Sequence, residues 1–293
     1  MMKKTIYVVS IILLGFTSCE SEEKQMKDVS STLAEAESGN KELKNEIVYS
    51  IPSPNEQYDL LRSLSEAVDP SIVNKLSNSS NYVKADKKAL NFGVYLSDAA
   101  YLMRFEQGKK VFIDYLSTLD KLGQEIDITK VYGEELLNEV EKVGADSEKL
   151  FDISAKNYIT IYDQLIENEK GVELSLILSG AWIETMYILF NSAGEYNENY
   201  EIEEYIVDQR YVLENLKGFI ESYSSDERIQ PVLDYFSEIN KVYEMMDCEE
   251  TSIKVEKKEG TVVLNGGLSC LFSADTYSEM KSVIVKIRTS IIS

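Results

Sequence analysis

The chain has 293 residues, 51 acidic against 30 basic, a formal charge of −21 and no histidine. That balance excludes a nucleic-acid partner, because phosphates need a basic footprint and the only cationic cluster, Lys254 to Lys258, is broken by Glu256. Without imidazole, Ser-His-Asp and Cys-His catalysis, common zinc sites and His-ligated haem are excluded, leaving carboxylates, lysine, tyrosine or serine for any chemistry.

The chain opens Met1-Met2-Lys3-Lys4, continues through an apolar run to Leu14, and closes Gly15-Phe16-Thr17-Ser18-Cys19. A basic, apolar, small-residue order reads as a secretory signal, too short to span a bilayer. The segment resembles a bacterial lipobox, with Phe16 where many carry Leu, which implies that residues 1–18 are removed and Cys19 is acylated. An ordinary secretory signal with an incidental cysteine is the alternative. Cleavage would remove only Lys3 and Lys4 and leave the mature chain more acidic still.

Glu20-Ser21-Glu22-Glu23-Lys24 follows. It is similar to the acidic export signal of some Bacteroidetes lipoproteins, which implies display on the outer face of the outer membrane; a solvated tether facing the periplasm is the alternative. Residues 19–50, rich in Glu, Lys, Ser and Asn, read as a flexible acidic tether. Attachment is then expected through acyl chains, with no later apolar stretch long enough to cross a membrane.

Residues 51–293 read as a single helical domain. Pro54 falls near the first turn of a helix carrying Tyr58, Leu60, Leu61 and Leu64. Helical spacing then continues to about residue 246. Phe112, Tyr115, Leu116, Leu119 and Leu122 share a face, as do Leu150, Ile153, Tyr158, Ile161 and Leu165, then Tyr205, Val212, Leu216 and Phe219, then Leu233, Phe236, Ile239 and Val242. Breaks are expected at Gly123, Gly144, 168–171 and 194–199. Short connections favour antiparallel neighbours, hence an all-α, up-and-down multi-helix array.

Two segments, Ala89 to Phe105 and Val172 to Phe190, are apolar most of the way round and should be enclosed. Aligning Gly93-Val94-Tyr95-Leu96 with Gly180-Ala181-Trp182-Ile183 suggests two similar halves, each contributing one central helix. Asp98, Arg104 and Glu184 interrupt these helices, and Tyr95, Tyr101 and Tyr187 on the same helices are expected as donors to the carboxylates. Buried charges persist only when paired. One reading is a candidate ligand pocket in which Asp98 and Glu184 recognise a cationic or hydroxylated ligand. The other is a buried polar tie that sets helix register.

The oxygen-rich stretch Glu195-Tyr196-Asn197-Glu198-Asn199 lacks the ladder of an EF-hand and reads as a solvated loop. Tyr196, Tyr200 and Tyr205 near it read as core edge, with an exposed recognition patch as the alternative. No metal site and no cofactor is implied.

Near the C-terminus the period becomes two. A β-hairpin is expected at about 252–264, broken by Asn265-Gly266-Gly267, before a last helix from about Asp275 to Ile291. Cys248 and Cys270 flank it, either bridged or as two free buried thiols.

Ile51-Pro52-Ser53-Pro54, then Ala89-Leu90-Asn91-Phe92-Gly93-Val94-Tyr95 with Asp98 and Tyr101, then Gly180-Ala181-Trp182-Ile183-Glu184 with Tyr187, resemble an uncharacterised group of Bacteroidetes helical lipoproteins. The resemblance implies a helical, extracytoplasmic protein and carries no activity. The functional expectation is a lipid-anchored, non-enzymatic binding or scaffold module with an envelope protein or small ligand as partner. A small-ligand receptor built around Asp98 and Glu184 is the alternative.

Overall fold

The computed structural model describes residues 51–293 apart from 52, 54–57, 59–60, 62–68, 105–108, 129–133, 144–146, 198 and 259–260. The expected signal, the Cys19 lipidation site, the tether and most of the helix expected around Tyr58 lie outside the described residues. Among the described residues a 3-10 turn, Leu76–Asn81, precedes eight α-helices and one hairpin. In chain order these are α1 (Ala85–Arg104), α2 (Lys109–Glu125), α3 (Glu134–Val143), α4 (Ser147–Glu167), α5 (Gly171–Ala193), α6 (Tyr200–Glu221), α7 (Gln230–Tyr243), β1 (Asp247–Lys258), β2 (Thr261–Leu271) and α8 (Ala274–Ile292). The protein is thus mostly helical, with a small antiparallel hairpin before the last helix.

α5 is apolar round nearly its whole circumference, so it folds stably only when neighbours cover every face. They do: it packs on α1, α4, α6 and α8, and Leu176, Met186, Ile188 and Leu189 have no exposed surface. By length and composition alone α5 is apolar enough to cross a membrane, which the expectation of no spanning stretch overlooked. Burial of 83% of that stretch inside the protein identifies it as a core helix.

α1 and α5 share the largest helix–helix interface, made possible by glycine. A Cβ on Gly93 would lie 2.0 Å from the Ile177 carbonyl oxygen, and one on Gly180 1.9 Å from that of Leu90. The two backbones touch at these points, as small residues permit. Leu90 meets Gly180, and Ser97 meets Thr185, so α1 and α5 run parallel. An alternating array requires that of elements separated by an even number of reversals. α8 runs the other way, with Lys281 at Gly194, Arg288 at Glu184 and Asn91 at Ile291.

Two breaks differ from expectation. α2 continues through Gly123 to Glu125, and the chain turns only where Asp127 adopts a left-handed conformation, φ 57°. The Gly123 carbonyl accepts from the N–H groups of Ile126 and Ile128, so glycine marks the last turn rather than the stop. The hairpin is also longer than expected. β2 runs through Asn265-Gly266-Gly267, with Gly267 opposite Thr251, and the ladder absorbs a register shift between Thr251 and Lys254. Glycines inside strands are typical of such irregularities, so here they mark a bulge and not an end. Cys248 and Cys270 face each other across the ladder and are joined by a disulfide, which selects the bridged alternative.

Candidate functional site

Asp98 and Glu184 of the two central helices do come together, with a partner the sequence reading missed. Asp98 on α1 and Glu184 on α5 have no exposed surface. The cation that pairs with Glu184 is Arg288 of α8. Its Nε and Nη2 each donate to Glu184 at 2.7 Å, Nη2 also donates to the Ile72 carbonyl at 3.1 Å, and the guanidinium lies 3.9 Å above the Tyr187 ring. Arg288 sits at a core position of α8, in register with Met280, Ile284 and Ile291. A charge on the apolar stripe of the last helix was the signal available. The side chain of Arg104, at the end of α1, lies outside the described residues.

Asp98 Oδ2 accepts from the Asn74 N–H at 3.0 Å, while Oδ1 is buried with no donor facing it. Burial pushes the Asp98 carboxyl well above the usual carboxylate range, and the negative charge and hydrogen bond of Glu184 push it further; Arg288 and the Asn74 N–H act the other way. The physical picture is a protonated Asp98 that donates to the Glu184 carboxylate. The cluster then holds one anion, one cation and one neutral acid.

The tyrosines expected to serve the carboxylates do other work. Tyr95 donates to the Lys75 carbonyl at 2.8 Å, and Tyr101 accepts from the Asp69 N–H at 3.1 Å. Tyr187 offers its ring face to Arg288 and no hydroxyl to either acid. Tyr115 donates to the Asn74 carbonyl, so the segment that feeds Asp98 an N–H is itself held from α2. Beside the charges, the Tyr58 hydroxyl lies 2.6 Å from Ser97, which lies 2.9 Å from Thr185, and Thr185 donates to the Ala181 carbonyl at 2.9 Å.

These contacts tie α1, α5, α8 and the 69–75 segment with protein atoms alone. Such closed pairing fits the register-setting tie better than the ligand pocket. A ligand would have to displace Arg288 to reach Glu184. Among the described residues no group of three or more His, Cys, Asp or Glu is placed to hold a metal ion.

Open space lies elsewhere. A recess of about 130 Å³ is bounded by Tyr196, Tyr200, Glu203, Glu204, Leu271 and Phe272, where the loop after α5 meets the start of α6 and the end of β2. Two of the three tyrosines set apart as a core edge or exposed patch therefore line a cavity. Tyr205 does not.

Comparison of the chain with family models, with curated proteins and with solved structures finds no match.

Proposed function

We propose that this chain is a lipid-anchored protein of the cell envelope, held at the outer membrane through Cys19, whose helical body is a non-enzymatic scaffold that presents its hairpin to a protein partner. The observation that supports this reading is the form of β1 and β2. They make a two-stranded antiparallel ribbon, roughly 40 Å long at ~3.4 Å per residue, closed near its base by Cys248–Cys270. Among the described residues each strand pairs only with the other, so both outer edges carry backbone groups without a strand neighbour. Such edges accept an added strand. The base is anchored, since Cys270 and Phe272 are buried and β2 packs on α6.

The test is site-specific photocrosslinking in intact cells from Glu249 or Ser269, exposed residues paired across the ribbon, with Cys19 present or replaced by serine. The expected result is a discrete crosslinked product from the ribbon, with membrane association lost in Cys19→Ser. A ribbon that captures nothing, on a protein that fractionates identically with and without Cys19, would overturn the reading.

A further inference from the structure

The recess between α6 and the end of β2 combines three features that together select a ligand class. Its walls include the aromatic side chains of Tyr196, Tyr200 and Phe272, and Leu271 adds an apolar rim. Glu203 and Glu204 supply carboxylates. Glu203 is only 4% exposed, yet among the described residues its one hydrogen-bond partner is the Asn197 N–H, which donates to Oε1. Among the described residues no lysine or arginine pairs with it, and its second oxygen has no protein donor.

We infer that this recess binds an organic ammonium ion, held by the Glu203 and Glu204 carboxylates and the faces of Tyr196 and Tyr200. Aromatic faces attract cations through the ring quadrupole, most strongly where water is excluded. A buried carboxylate without a counter-charge is costly, and a bound cation supplies the missing partner. Burial accordingly raises the Glu203 carboxyl above its ordinary range, with the Asn197 N–H opposing.

An anion is disfavoured although a helix begins here. Asn199 caps α6 by accepting from the Ile202 N–H at 3.3 Å, and Glu201 and Glu203 already place negative charge in the first turn.

The recess is also built rather than incidental. Gly194 takes φ 79° and ψ −131°, a backbone conformation that requires glycine, and its carbonyl accepts from Tyr277 at 3.0 Å and Lys281 at 2.7 Å. Tyr196 donates to the Phe272 carbonyl at 2.7 Å and packs on the Tyr277 ring, centroids 5.7 Å apart. Asn197 holds a left-handed φ of 64° under the hydrogen bond to Glu203. Backbone strain retained at a pinned, acidic, aromatic recess is the pattern of a preorganised site. The inference does not depend on the ribbon having a partner.

Calorimetry and ¹H–¹⁵N spectra of the folded body should be recorded with n-butylammonium, tetramethylammonium and, as neutral control, n-butanol. Saturable binding of a cation, shifts centred on residues 194–204 and 270–272, and no binding of n-butanol are expected. Tyr200→Ala and Glu204→Gln, exposed and outside the loop's hydrogen bonds, should each weaken binding about ten-fold without changing the fold. Glu203→Gln should weaken it further while keeping an acceptor for Asn197. Equal response to n-butanol, no saturable binding of either cation by the folded protein, or undiminished affinity in both Tyr200→Ala and Glu204→Gln would overturn the inference.

Discussion

Arg288 and Glu184 form a two-point ion pair between α8 and α5, with Nε to Oε2 and Nη2 to Oε1 both at 2.7 Å and neither residue more than 8% exposed. Pairs of this kind contribute little net stability over an apolar replacement, because desolvation offsets attraction, but breaking one leaves a buried charge alone. Glu184→Ala should therefore cost about 3–5 kcal/mol in urea unfolding, since Arg288 would be left over the Tyr187 ring without an anion. The double variant Glu184→Met/Arg288→Met should recover most of that loss. A double variant as unstable as the single would mean that the pair is not what holds α8 down.

Asp98 gives a pH signature. Its folded carboxyl titrates well above the unfolded value, chiefly through burial and then through Glu184. Between the unfolded and folded pKa values the native state keeps a proton that the unfolded chain has released. Stability from this group is thus full below the unfolded pKa of about 3.9 and falls as pH rises, by up to about 1.4 kcal/mol per pH unit, until the folded pKa is passed. An asparagine side chain in its place would offer the same acceptor to Asn74 and a permanent donor to Glu184. Asp98→Asn should match the parent near pH 4 and exceed it at pH 8, measured as the urea midpoint against pH. Asp98→Ala, which strands the buried Asn74 N–H, should be less stable at both, by about 1–3 kcal/mol.

The contact between α1 and α5 is tested by single methyl groups. On helix propensity alone Gly→Ala should stabilise by about 1 kcal/mol. At Gly93 and Gly180 the added carbon would overlap backbone carbonyls, which cannot rotate away as a side chain can. Gly93→Ala and Gly180→Ala should each lower stability by about 3 kcal/mol, read from thermal unfolding by circular dichroism. Gly123→Ala, whose nearest neighbour is 3.2 Å away, should be far milder. Equal effects at all three positions would remove the case for a special crossing.

The helical fold and its two enclosed helices were legible because periodicity and all-round apolarity are local signals. So was the meeting of Asp98 and Glu184, since two charges in the two most apolar helices have few places to go. Arg288 was not. It lies in an ordinary amphipathic helix 104 residues from its partner, and one charge on an apolar stripe is easily read as a helix edge. The hydroxyls of Tyr95 and Tyr101 were assigned to the carboxylates by proximity in sequence, whereas backbone groups of the 69–75 segment were nearer in space, the Lys75 carbonyl for Tyr95 and the Asp69 N–H for Tyr101. The recess at Glu203 depends on α6 meeting the end of β2, a contact between segments far apart in the chain that no local pattern encodes.

The ribbon's covalent closure gives the last prediction. Cys248 and Cys270 are 22 residues apart, and a cross-link of that span removes about 3 kcal/mol of chain entropy from the unfolded state if the ends are otherwise free. In the native state, ladder pairs from Glu249↔Ser269 to Lys258↔Thr261 hold the strands together with or without the bridge. Cys248→Ser/Cys270→Ser should therefore lose up to about 3 kcal/mol, and hydrogen exchange should place the loss in two stages. Amides of β1 and β2 should exchange faster first, at conditions where those of α1 and α5 stay protected, because the core helices make no covalent use of the bridge. Uniform loss of protection across ribbon and core would show instead that the disulfide staples the whole helical body.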